Sequence, residues 1–326
     1  MNIYKNKKVL VTGGTGLIGK ALTNKLINMD AEVRVASLDH HSLAHPSCDF
    51  KHMDLTDISN CKKACENIDY VFNLVGIKGC PAMTMKKPVS FFDSTILFNT
   101  NMLKCSFDAG VKRYLYTSTI GVYAPAKVFH EDDIWNSFPS HNDWYSGWAK
   151  RMGELQVEAY GVEYGWKDIV IVRPANTYGV FDNMSKDNAL VIPALVKRVV
   201  DGENPLVVWG DGSAVRDFVF ADDVADGMLL AMEKGMGDNF NLGSGMGVSV
   251  KQIVDIILRN MDNPPDVIWD KSKPSGDKIR LMDISKAKEK LGYNPKVSID
   301  EGIKRVMDWY NDSGDVEDRR YNVFKA

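Results

Sequence analysis

Val-Leu-Val-Thr-Gly-Gly-Thr-Gly-Leu-Ile-Gly, residues 9–19, runs an apolar stretch into a glycine turn. Gly13, Gly16 and Gly19 are spaced three apart, and a helix-like stretch follows from Leu17 to Met29. A buried strand that turns on glycine into a helix aims backbone N–H groups and the positive end of a helix dipole at one point. That point suits a pyrophosphate. Gly13 allows the tight turn, Gly16 close approach of the ligand, and Gly19 close packing of helix on strand. The spacing is Gly-x-x-Gly-x-x-Gly, distinct from the Gly-x-Gly-x-x-Gly of the best-known dinucleotide folds.

Outward from this turn the chain alternates. Strands are predicted at Val9–Val11, Val33–Ser37, Phe50–Met53, Tyr70–Leu74, Tyr114–Thr117 and Ile169–Val172. Between them Leu17–Met29, Ser59–Glu66, Ser90–Ala109 and Trp144–Tyr164 read as helices. Short apolar strands in strict alternation with helices predict an α/β fold, a doubly wound parallel sheet of Rossmann type. After Arg173 the alternation loosens, with helices expected at Leu190–Asp201, Ala221–Met232, Val250–Met261 and Ile299–Tyr310. Strands are expected there at Pro205–Val208 and Phe240–Leu242. The expected plan is a dinucleotide-binding domain over residues 1–175, to which 215–243 return. Residues 176–214 and 244–312 would form a smaller C-terminal α/β substrate-binding cap, and 313–326 a loose polar tail.

Composition narrows the class. The chain has 326 residues, 44% hydrophobic and 25% charged, with a net charge of −3. It lacks long Lys/Arg runs and any apolar stretch near the roughly 18 residues of a membrane span, so neither nucleic acid nor membrane is an expected partner. The N-terminus enters the first strand directly, with no signal peptide. The five cysteines, Cys48, Cys61, Cys65, Cys80 and Cys105, show no Cys-x-x-Cys pair. They read as reduced cytoplasmic thiols rather than disulfides or a metal site.

Ligands of open α/β sheets bind beyond the carboxyl ends of the strands. Polar groups recur there: Ser37-Leu38-Asp39, Asp54-Leu55-Thr56-Asp57, Gly76-Ile77-Lys78, the Thr117–Tyr123 stretch, and Arg173-Pro174-Ala175-Asn176-Thr177-Tyr178-Gly179. With Lys150-Arg151-Met152-Gly153-Glu154, Trp209-Gly210-Asp211-Gly212, Arg216-Asp217-Phe218 and Leu291-Gly292-Tyr293-Asn294-Pro295, these motifs resemble the extended short-chain dehydrogenases/reductases that act on nucleotide sugars. Gly76-Ile77-Lys78 is similar to a loop of UDP-galactose 4-epimerase. Asp182-Asn183, Val191–Leu195 and Lys273-Pro274-Ser275-Gly276 are similar to GDP-fucose synthase.

The resemblance implies hydride transfer at sugar C4 to and from a bound nicotinamide cofactor, and a homodimer built on Ser90–Ala109 and Trp144–Tyr164. Thr119 would hydrogen-bond the sugar hydroxyl, and Lys150 would hold the nicotinamide ribose. Gly13, Gly16, Leu17, Ile18, Gly19, Asp39, Asp54, Leu55, Lys78 and Pro174 would contact the cofactor. Asn176, Arg216 and Arg280 would hold a GDP- or UDP-sugar. No Lys or Arg follows the second strand or lies in the glycine turn, so a 2′-phosphate lacks an evident cation and NAD is favoured over NADP.

One departure stands out. The family's catalytic tyrosine lies four residues before the lysine, where this chain has Ser146. Tyr145 is one residue earlier, about 100° further round an ideal helix. Three readings stay open: Tyr145 acts from a distorted helix start, water or another group replaces it, or the chain binds cofactor without turnover. Ile120-Gly121 stand where sugar dehydratases carry Asp-Glu. Gly121 and Leu190 stand where GDP-fucose synthase carries its Cys and His. The expected reaction is therefore a C4 epimerisation or C4 oxidoreduction. The competing reading is a silent NAD-binding sensor or scaffold of the same fold.

Overall fold

The computed structural model describes residues 2–77, 79, 81–186, 188–273, 277–313 and 319–324. The chain opens with β1 (Lys8–Thr12), α1 (Leu17–Asn28), β2 (Glu32–Ser37), β3 (Asp49–His52), α2 (Ile58–Cys65), β4 (Tyr70–Asn73), α3 (Pro81–Lys86) and α4 (Pro88–Asp108). It continues through β5 (Arg113–Thr117), β6 (Val128–Phe129), α5 (Trp144–Tyr164), β7 (Ile169–Pro174), β8 (Asn176–Tyr178), α6 (Val191–Val200), β9 (Leu206–Trp209) and β10 (Val215–Phe220). The last elements are α7 (Ala221–Lys234), β11 (Asn239–Leu242), β12 (Gly247–Ser249), α8 (Val250–Arg259), β13 (Val267–Asp270), β14 (Ile279–Met282), α9 (Ser285–Leu291) and α10 (Ile299–Ser313).

Among the described residues, seven strands form one sheet in the order β11-β7-β5-β4-β1-β2-β3. Every pairing in it is parallel. The order reverses between β1 and β4, the switch point at which such sheets bind ligands. Parallel strands bury both faces, and the residues comply: Val9, Leu10 and Val11 of β1 are all buried. One face packs Leu22 and Leu26 of α1 with Val224 and Met228 of α7. The other packs Cys61 and Cys65 of α2 with Phe98 and Met102 of α4.

A smaller sheet, β12-β10-β14-β6 with β8 beside β10, stands with a β13-β9 pair; all but β6 come from after β7. Its core joins Ile192 and Val196 of α6, Ile253 and Ile257 of α8, and Ile303 and Val306 of α10. A capping box, Ser249 with Gln252, starts α8 and satisfies two of its orphan N–H groups. Residues 221–242 rejoin the first sheet through β11 and α7. Ala287, Leu291 and Tyr293 also belong to that first core.

The tail differs from the loose segment expected. Within residues 313–326, those from 319 to 324 are bound to the body: the Arg319 carbonyl accepts from His40 N–H at 2.9 Å, and Phe324 is buried. Its buried Phe324 side chain and its contacts with the Asp39 carboxylate give it a docking surface that polar composition conceals. The thiols of Cys61, Cys65 and Cys105 are buried, and Cys80 lies outside the described residues.

A buried pair ties the sheet to the helix that carries Lys150. Arg173 in β7 meets Glu154 in α5 through two parallel bonds, Nε to Oε1 at 3.0 Å and Nη2 to Oε2 at 2.7 Å. The same guanidinium donates to the Tyr123 hydroxyl and the Glu131 carbonyl. Such a fork–fork pair fixes orientation as well as distance.

Candidate active site

The glycine turn is built as its spacing predicts. Gly13 has φ +66°, the left-handed conformation that favours glycine. A Cβ on Gly19 would fall 2.2 Å from the Gly13 carbonyl oxygen, which explains the helix's close seat on the strand. A Cβ on Gly16 would meet only that same oxygen, at 3.3 Å, so the turn opens outward at this position. Gly16 caps α1 without a side-chain hydrogen bond, leaving the first-turn N–H groups, those of Leu17, Ile18 and Gly19, facing the opening. That cradle fits a pyrophosphate.

A buried polar relay missed in the sequence sits at the switch point. Thr12 Oγ1 donates to Asn73 Oδ1 at 2.8 Å, and accepts from Leu74 and Val75 N–H at 3.0 Å each. Asn73 Nδ2 donates to Asn99 Oδ1. The relay fixes where the chain leaves β4. Lys78, five residues after Asn73, lies outside the described residues.

Asp39 lies beyond β2, its Oδ2 accepting from the Thr15 hydroxyl of the glycine turn at 2.7 Å. Asp54 lies beyond β3 and caps its own turn, Oδ1 accepting from Thr56 N–H and hydroxyl. Leu55 is buried in the core, and Pro174 closes β7 beside Leu242 of β11.

Thr119 follows the end of β5, and Lys150 on α5 reaches that same end. Thr119 caps a short 3₁₀ turn, Ile120–Val122, and its Oγ1 accepts from Gly121 N–H at 3.3 Å. Lys150 Nζ donates to the Thr117 carbonyl at 2.8 Å. Burial pushes the Lys150 ammonium down to about 8, against the opposing pull of Glu154 one turn later.

Ser146 faces this turn: a Cβ on Gly121 would lie 3.4 Å from its Oγ. Its hydroxyl donates to the Asp143 carbonyl. Tyr145 is turned toward α4, its ring edge-on to Phe92 with centroids 6.4 Å apart. The ideal-helix offset of one residue thus appears as a change of neighbour.

The two candidate arginines lie side by side. Arg216 on β10 is the register partner of Arg280 on β14. Burial lowers the affinity of the Arg216 guanidinium for its proton, and the Arg280 charge lowers it further. Asp143, unnoticed in the sequence, answers them: its Oδ2 stands 2.8 Å from Arg280 Nη2. Its side chain lies against Gly121, two residues from Thr119, and it directly precedes α5. Asn176 donates to the Asp217 carbonyl at 2.9 Å, which locks β8 onto β10. Only its place just after β7 distinguishes Asn176 as a site residue.

A model of the NAD dependent epimerase/dehydratase family matches residues 9–243, from β1 to just past β11. The chain belongs to that family. Among relatives, GDP-L-fucose synthase 1 of Arabidopsis thaliana is 30% identical over 316 residues, 94% of each chain. A UDP-glucose 4-epimerase of Thermotoga maritima, solved with UDP-glucose, is 30% identical with a TM-score of 0.83, covering 94% of this chain and all of that one. A UDP-glucose 4-epimerase of Thermus thermophilus, solved with NAD, shares the fold at TM-score 0.82 and 24% identity. The family is NAD dependent, and the cofactor is NAD with NADP also allowed; the open cradle of Gly13, Gly16 and the first turn of α1 fits such a dinucleotide.

Proposed function

We propose that the protein is a nucleotide-sugar 4-epimerase or 4-oxidoreductase of this epimerase/dehydratase family. The observation that carries the reading is the Arg216–Arg280 pair on neighbouring strands. Asp143 and Asp277 stand against Arg280, and the planar forks of the two neighbouring guanidinium groups suit the oxygens of a sugar-nucleotide diphosphate. A cofactor sensor has no need of that pair.

The nicotinamide supplies a hydride acceptor and donor when bound. Thr119 offers its hydroxyl to the sugar oxygen. The Lys150 cation, carried on α5 and reaching the end of β5, would hold the ribose and stabilise negative charge as it develops. Leu17, Ile18 and Gly19 offer backbone N–H groups to the pyrophosphate, and Asp39 and Asp54 the ribose and adenine contacts. Ser146 carries no titratable group for the work. Tyr145 takes the acid/base role only if its ring leaves Phe92.

The same reading includes a homodimer across α4 and α5, which expose Val89, Leu97, Leu155 and Val162. It includes cytoplasmic residence and no nucleic-acid or membrane partner. Among the described residues, no helix is long and apolar enough to cross a membrane.

The test is to denature the purified protein, identify any released dinucleotide, and titrate GDP-, UDP-, dTDP- and CDP-sugars by calorimetry. Arg216→Ala and Arg280→Ala are expected to weaken sugar-nucleotide binding by roughly 2–5 kcal/mol each while leaving NAD binding in place. Equal losses for both ligands, or no sugar nucleotide bound, would overturn the reading.

A further inference from the structure

The C-terminal segment 319–324 runs between the end of β2 and the start of α4. The Arg319 carbonyl accepts from His40 N–H, and Tyr321 N–H donates to Asp39 Oδ1 at 2.8 Å. Lys87 Nζ, just before α4, donates to the Phe324 carbonyl. Between these anchors Arg320 reaches inward. Its Nη1 stands 3.8 Å from Asp39 Oδ2, and its Nη2 donates to the Phe181 carbonyl. Lys20, in the first turns of α1, lies over the Phe181 ring at 3.6 Å. Its ammonium loses affinity for its proton through burial, then through the charges of Arg320 and Arg319.

Two further observations point to a ligand. The Arg320 side chain is only 13% exposed, and its Nε is buried with no hydrogen-bond partner. Asp39, equally buried, is the acid beyond β2 against which the adenosine ribose of a doubly wound fold lies. Alone, that carboxylate would accept the ribose hydroxyls and repel a 2′-phosphate. With a guanidinium beside it the local charge is cancelled, and the Nε of that guanidinium still lacks a partner.

We propose that Arg320 is a specificity-determining residue of the cofactor site. Its guanidinium receives the adenosine 2′-phosphate, so the chain accepts NADP as well as NAD, and the balance is set by a residue 281 positions from Asp39 in sequence. The inference rests on the reading that the cleft holds a dinucleotide.

The test uses the full chain freed of dinucleotide, titrated with NAD⁺ and NADP⁺ by calorimetry. Arg320→Ala is expected to weaken NADP⁺ about 10- to 100-fold more than NAD⁺, the scale of a lost charge-assisted contact. Arg320→Lys should recover part of the NADP⁺ affinity, and Asp39→Asn should shift the ratio toward NADP⁺. A ratio that moves less than about twofold in both Arg320 variants overturns the proposal. So does tighter binding of both dinucleotides in Arg320→Ala, which would make the segment a plug. Wild-type protein that binds neither dinucleotide would refute the cofactor reading itself, whereas NAD⁺ binding with an unchanged ratio refutes only this assignment.

Discussion

Two glycines of one turn should fail in different ways when each is replaced by alanine. At Gly19 the new Cβ would lie 2.2 Å from the Gly13 carbonyl oxygen and 2.7 Å from the Gly14 Cα. Both are backbone atoms, so α1 must move off the sheet by about an ångström or the turn must unwind. Overpacking of this kind costs about 1–3 kcal/mol, and rigid backbone on both sides puts this case near the top. At 2–4 °C per kcal/mol, the melting temperature should fall by about 6–12 °C. At Gly16 the Cβ meets one atom at 3.3 Å, and φ −74°, ψ 178° are open to alanine. Gly16→Ala should therefore keep its stability within about 0.5 kcal/mol, yet place a methyl where the pyrophosphate must lie. Its NAD affinity should drop by about tenfold or more, a loss of roughly 1.4 kcal/mol. Thermal melts without ligand, paired with NAD titration, separate the two. A Gly19→Ala protein that melts like wild type, or a Gly16→Ala protein that binds NAD normally, would refute the reasoning.

Glu154→Ala should cost about 3–5 kcal/mol in denaturant unfolding, because it leaves the Arg173 guanidinium buried and unpaired; a loss under about 1 kcal/mol would show the pair to be dispensable. Lys150 is lowered from 10.5 to about 8 in the fold, so between those values the unfolded chain binds more protons and this group's contribution to stability rises with pH. Its cation is lost over the same window, so kcat/KM should fall above about pH 8; a profile flat to pH 10 would remove Lys150 from the site. With the Tyr145 ring seated on Phe92, Tyr145→Phe should lower turnover by less than about tenfold, whereas a fall of 10²–10⁴ would show that the phenol swings inward to act. Light scattering should give a dimer at micromolar concentration, and charged residues at Leu97 and Val162 should dissociate it; a wild-type monomer would refute that interface.

The first sheet was legible because its strands carry one signal each. Val9–Val11 or Ile169–Val172 can be little else than buried parallel strand, and the observed limits differ from expectation by one or two residues. The strands of the smaller sheet were not. β10 reads Val-Arg-Asp-Phe-Val-Phe and β14 Ile-Arg-Leu-Met, so the candidate arginines interrupt the apolar pattern that would reveal these strands. The glycine turn, Thr119 and Lys150 were visible as motifs. Asp143 and Arg320 were not, since each is defined by a partner far along the chain: Arg280 for one, Asp39 for the other. No local period encodes such pairs. The tail was misjudged for the same reason.

The helix that carries Lys150 is anchored on the C-terminal side of that residue. It is fixed downstream, where Glu154 grips Arg173 and where Gly153 lets Tyr116 press close, a Cβ there falling 2.1 Å from the phenol oxygen. The helix is thus moored at its third turn, and its opening turn is packed as well, a Cβ on Gly147 falling 2.5 Å from the Gly121 carbonyl oxygen. A change of residue at 145 or 146 would leave those downstream anchors in place, and with them the lysine proposed to hold the ribose.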